Sequence, residues 1–155
     1  MRQKIKTSFI LCFSLILTLS SIFFTGCGKS AQEFYDFVVS AKTNIDSVAY
    51  DTYNLWYNYT YDRDSYEVVA AQVDIKTEMK KSRDKVRDDY KEIKKMYNKL
   101  KNSEQADEIK AVVDAYSDYY DLVIDLNVSL TKYVINMATY QKALDKALQD
   151  LAIVL

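Results

Sequence analysis

Residues 29–155 contain neither glycine nor proline. Those two residues open tight turns and bulges and interrupt helices. Over the same stretch the apolar residues recur three and then four apart, a spacing that gathers them on one stripe of a helix packed nearly parallel or antiparallel to its neighbours. The expected fold is therefore all-α: a long antiparallel coiled-coil-like bundle of three helices, or of four.

Three start signals divide the helical stretch. Ser30 with Glu33, Asp64 with Glu67, and Asn102 with Gln105 each set a capping side chain three residues before a Glu or Gln, the spacing of a capping box. They predict helices over about 31–61, 65–101 and 103–155, with turns at 62–64 and 101–103. The first seam runs Phe34, Val38, Ala41, Ile45, Val48, Thr52, Leu55, Tyr59. The second is more polar: Val68, Gln72, Ile75, Met79, Ser82, Val86, Asp89 or Tyr90, Ile93, Met96, Leu100. The third has two uncharged rows, from Ile109 to Leu151 and from Val112 to Val154, which as one rod would reach roughly 70 Å. Such a rod overruns its partners by about 15 residues, at 1.5 Å each. Its end must then pair with another copy or partner, or bend near residues 136–139 and fold back as a fourth helix.

Charge favours pairing the second and third segments. Residues 76–101 carry eleven Lys or Arg against five acids, and residues 102–125 carry seven acids against Lys110. A fold-back at Asn102 brings net +6 beside net −6, although exposed pairs contribute only about 0–1 kcal/mol each. The basic run is read as a solvated, hairpin-pairing face rather than a patch for anionic headgroups or wall polymers.

The N-terminus is of another kind. Arg2, Lys4 and Lys6 precede an uncharged run, Ser8 to Phe24, rich in Phe, Ile and Leu, and Thr25-Gly26-Cys27 follows. This order resembles the type II signal peptide of bacterial lipoproteins of Gram-positive type, with Phe24 where the pattern usually has leucine. The resemblance covers the signal alone. It implies cleavage after Gly26 and a diacylglyceryl group, palmitate being typical, on the sulfur of Cys27; an uncleaved membrane helix is the alternative. The domains are then a signal peptide (1–26), a lipidated cysteine and short tether (27–30) and a helical bundle (31–155). The protein would sit at the cell membrane, lipid-anchored on the extracytoplasmic face, and two acyl chains suffice for stable attachment.

The residue types available for chemistry are few. The chain has no histidine, and its two cysteines, Cys12 and Cys27, fall in the signal and at the lipid site. The commonest general base, thiol nucleophiles and zinc ligands are therefore missing, and no glycine-rich loop cradles phosphate. Catalysis would have to rest on carboxylates, Lys or Tyr, so no enzyme, cofactor or metal is expected. Asp114, Asp118, Asp121 and Asp125 form a row opposite the third seam and are read as a solvated face. Nothing marks a nucleic-acid footprint.

Tyrosine is abundant, at 14 residues. Tyr116, Tyr119, Tyr133 and Tyr140 lie on the third seam and are assigned to the core. Tyr50, Tyr53, Tyr57 and Tyr61 lie roughly opposite the first seam, beside Asn54 and Asn58. A simple three-helix core does not need them, and Tyr combines contact area with a polar tip at low entropic cost. They are the candidate surface for a protein or cell-wall glycan partner. The expected role is a membrane-anchored, non-catalytic binding or scaffold module at the cell surface, with possible homo-oligomerisation through the C-terminal helix. The alternatives are a protective lipoprotein of a mobile element or bacteriocin system, acting by exclusion or immunity, and an accessory subunit of a membrane transporter or sensor.

Overall fold

The structure, a computed structural model, describes residues 30–61 and 68–155, with side chains from residue 72 in the second stretch. The signal segment, Cys27, the turn at 62–64 and the Asp64–Glu67 cap lie outside the described residues. Five helices and no strands are found among the described residues: α1 (Ala31–Tyr61), α2 (Val68–Glu78), α3 (Lys80–Leu100), α4 (Ala106–Asp125) and α5 (Leu130–Val154).

The start of α1 is a complete capping box. Ser30 Oγ accepts the Glu33 amide at 3.1 Å, and a Glu33 carboxylate oxygen accepts the Ser30 amide at 3.0 Å. The described part of α1 runs to Tyr61. Met79 interrupts the second segment, yet its amide bonds Ile75 O and its carbonyl accepts from the Arg83 amide, so α3 continues α2 with only a local turn. At the second connection the expected Asn102 cap does not form. The helix α4 begins three residues later, behind Gln105, which makes no side-chain cap.

The third segment is two helices, not one rod. It breaks at 126–129, ten residues before the expected bend. Leu126 takes a left-handed conformation (φ 53°, ψ 30°), and Ser129 caps α5 by accepting the Lys132 amide. A left-handed non-glycine residue costs about 1–2 kcal/mol, and full burial of the Leu126 side chain offsets it. The buried Arg83 sits at the same break and donates an Nη2 hydrogen bond to the Ile124 carbonyl, one of those left without an intrahelical partner at the end of α4. Burial lowers the Arg83 pKa, and Arg87 adds to this, while Tyr133, Asp125 and Tyr120 oppose it.

The result is a four-helix bundle in which α1 packs on α2–α3 and on α5, α3 on α4, and α4 most extensively on α5. Cross-helix contacts fix the directions. Asn44 meets Asp89, Thr52 meets Met79 and Tyr59 meets Glu78, so α2–α3 runs antiparallel to α1. Tyr90 meets Ser117, and its ring packs against Tyr116 and Tyr120, so α4 returns antiparallel to α3. Tyr133 bonds Ala49 O, Gln141 bonds Asp46 and Lys42 pairs with Asp145, so α5 runs antiparallel to α1. Ala31, the 101–105 connection and the end of α5 consequently share one end of the bundle. At the other end α1 and α2 reach past the α4–α5 connection.

A fourth helix widens the buried stripe of α1. Phe34, Val38, Ala41, Ile45, Val48, Thr52 and Tyr59 are buried as the seam predicts, but Ala49 and Trp56 join them while Leu55 stays half-buried. Trp56 packs its ring 5.7 Å from that of Tyr133 on α5. On α3, Ser82 is exposed and Arg83 is buried in its place. Tyr116, Tyr119 and Tyr133 are core residues as expected, and burial raises the pKa of each above the ordinary tyrosine value. Tyr140 is half-buried, and Val154, placed on a seam by the pattern, is exposed.

Candidate binding surface

On α1 the helical repeat carries tyrosine three, then four and four residues apart, which lines the rings up, tilted to one another, along one edge of the helix. Centroids are 6.4 Å apart for Tyr50 and Tyr53, 6.0 Å for Tyr53 and Tyr57, and 4.6 Å for Tyr57 and Tyr61. Tyr50, Tyr57 and Tyr61 are 60%, 45% and 67% exposed. Tyr53 departs from the expected outward row: it lies on the flank of α1, half-buried against the core. The ladder thus has one rung fixed to the bundle and three that face outward. Tyr50 and Tyr57 each pack against Tyr53, and Tyr61 packs against Tyr57, so the outward rings are linked through the half-buried one and offer a partner a continuous aromatic edge.

Beside the ladder, on the α2–α3 side of α1, a cleft of about 400 Å³ is lined by Asp51, Asn54, Leu55, Asn58, Glu78, Met79 and Ser82. Tyr59 donates to a Glu78 carboxylate oxygen at 2.5 Å across the cleft's inner edge. Amides, carboxylates and a hydroxyl over a small apolar floor can donate and accept hydrogen bonds in several directions. Asn54 and Asn58 are legible beside the tyrosines in the sequence, whereas the groups opposite them arrive only when α2–α3 folds back on α1.

The aspartate row is exposed along α4, and Asp118, Asp121 and Asp125 line a cleft of about 260 Å³ with Leu126, Asn127, Val128, Asn136 and Tyr140. Desolvation raises the Asp121 pKa, and the neighbouring Asp125 and Asp118 charges add to it. Among the described residues no group of three or more His, Cys, Asp or Glu is placed to hold a metal ion. A closer polar cluster serves the fold. One Asp46 oxygen accepts from Tyr119 and from Gln141, both at 3.0 Å, and the other from Lys42 at 2.6 Å, joining α1, α4 and α5. Burial works to lower the Lys42 pKa, but its bonds to Asp46 and Asp145 outweigh that and raise it.

The basic run carries acids three residues ahead of its cations, and this acid-before-base spacing is realised within α3. Arg87, Lys91 and Lys95 pair with Asp84, Asp88 and Glu92 three residues earlier on α3 itself, and Lys94 lies over the Tyr90 ring at 4.3 Å. No helix among the described residues is long and apolar enough to cross a membrane. The chain matches no protein-family model, no curated protein and no solved structure.

Proposed function

We propose that this chain is a lipoprotein held through Cys27 at the extracytoplasmic face of the cell membrane, and that its bundle is a non-catalytic module binding a protein or a wall glycan. The observation that carries the binding role is the exposed ladder of Tyr50, Tyr57 and Tyr61. Its rings are linked through Tyr53 and grouped toward the end of α1 farthest from Cys27. Aromatic side chains with polar tips are over-represented in contact surfaces, and a module tethered at one end meets its partners with the other. The polar cleft along Asn54 and Asn58 supports the same reading, since it places hydrogen-bonding groups next to the rings.

The direct test replaces Tyr50, Tyr57 and Tyr61 together by Ala. Three exposed side chains contribute little to the core, so the melting curve stays that of the wild type. Binding to isolated cell-wall glycan, or photocrosslinking to a surface protein from Asn54, falls by about tenfold or more. A folded triple variant that binds glycan and crosslinks as the wild type does refutes the assignment.

A further inference from the structure

Asn54 and Asn58 belong to two surfaces at once. Residues three or four apart on a helix are neighbours, so Asn54 lies between Tyr50 and Tyr57, and Asn58 beside Tyr61, while both also line the cleft toward α2–α3. Rings and cleft therefore form one site along the outer edge of α1, about 16 Å long from Tyr50 to Tyr61. The polar groups of the cleft on this side are uncommitted. Among the described residues, no hydrogen bond or ion pair holds the side chain of Asp51, Asn54, Asn58 or Ser82, although Asn54 is half-buried.

We infer that the ligand of this site is an uncharged saccharide chain bearing acetamido groups, which lies along α1 with sugar faces on the tyrosines and hydroxyl and acetamido groups in the cleft. The inference rests on the binding role proposed above and narrows its two partner classes to one. A pyranose ring has an apolar C–H face and a rim of hydroxyls that each donate and accept. The face suits the electron-rich side of an aromatic ring, and the rim suits Asn side chains, which donate and accept in one plane, complemented by Asp, Glu and Ser. Leu55 and Met79 on the floor of the cleft give an acetamido methyl group an apolar seat. The volume of about 400 Å³ lies within the range of small-ligand sites, about 300–1,000 Å³. Two carboxylates, Asp51 and Glu78, and no cation line the cleft, so it repels the carboxylates or phosphates of an acidic polymer. A protein interface centres instead on a broad desolvated apolar patch, which a single file of rings beside a polar cleft does not provide.

The test is calorimetry of the full chain, purified in mild detergent, with the tetrasaccharide of N-acetylglucosamine and, separately, with poly(glycerol phosphate). The wild type is expected to bind the tetrasaccharide and not the polyanion. Asn54→Ala with Asn58→Ala removes the cleft amides and is expected to weaken tetrasaccharide binding by about tenfold at an unchanged melting temperature. Asn58 is exposed, so Asn58→Ala alone makes the same comparison if the double variant melts early, with a loss of about threefold. A tetrasaccharide that does not bind, on a chain whose crosslinking to a surface protein from Asn54 is lost with Tyr50, Tyr57 and Tyr61, overturns the inference and leaves the binding role standing with a protein partner. Poly(glycerol phosphate) binding as tightly as the tetrasaccharide overturns the uncharged ligand. Tetrasaccharide binding that the asparagine variants leave unchanged overturns its placement in the cleft. A chain that binds neither probe and crosslinks to nothing overturns both readings.

Discussion

Asp121 shows how one residue can lie on an exposed row and still bear the cost of its neighbours. Its carboxyl is raised above the ordinary carboxylate range by partial desolvation first, and then by Asp125 and Asp118. A raised acid binds its proton more tightly in the folded chain than in the unfolded one, so stability grows as pH falls through the raised value and levels off below the ordinary one. Asp121→Asn is therefore expected to raise the thermal midpoint at neutral pH. That gain should shrink with added salt and disappear as the pH drops below the ordinary carboxylate range. A midpoint that falls at neutral pH, or a gain that persists in acid, contradicts this. Other residues were hidden from the sequence. A helix pattern presents Arg83 as one more cation in a basic run, and nothing in the run says that this one caps α4. Leu126 was legible as apolar but not as the site of a chain reversal, because the left-handed conformation is normally advertised by glycine or asparagine.

Among the elements, α1 was almost fully legible, since a capping box and a regular seam fix both its start and its buried face. What the seam missed was its width. Three helices cover one stripe each, whereas the separate α5 covers a second flank of α1 and draws in Ala49 and Trp56. This difference can be measured. Trp56→Ala should destabilise by about 3–5 kcal/mol, as a buried large aromatic does, and Leu55→Ala by clearly less. Equal costs at the two positions, read from denaturant unfolding, would restore the narrower stripe and argue against the packing of α5 on α1. The break behind α4 was not legible because both rows of the third segment continue unbroken through 126–129. An apolar period records which face is buried, and a chain that reverses while keeping that face inward leaves the period intact. The candidate surface divides in the same way. Spacing along α1 placed the tyrosine ladder, but only the fold-back of α2 could bring Glu78, Met79 and Ser82 opposite Asn54 and Asn58.

For the molecule as a whole, the two ends of the bundle differ in kind. One gathers the start of α1, the 101–105 connection and the apolar tip of α5. The other carries aromatic rings and a polar cleft on helices that extend past the rest. The proposed function takes the first as the attachment end and the second as the presenting end, and it depends on the attachment being at Cys27. The most direct measurement is therefore the intact mass of the protein extracted from membranes of cells fed labelled fatty acid. The account predicts a chain that has lost residues 1–26 and carries a labelled diacylglyceryl group on Cys27, with neither label nor cleavage in Cys27→Ser. An unlabelled wild-type chain that retains residues 1–26 would contradict it.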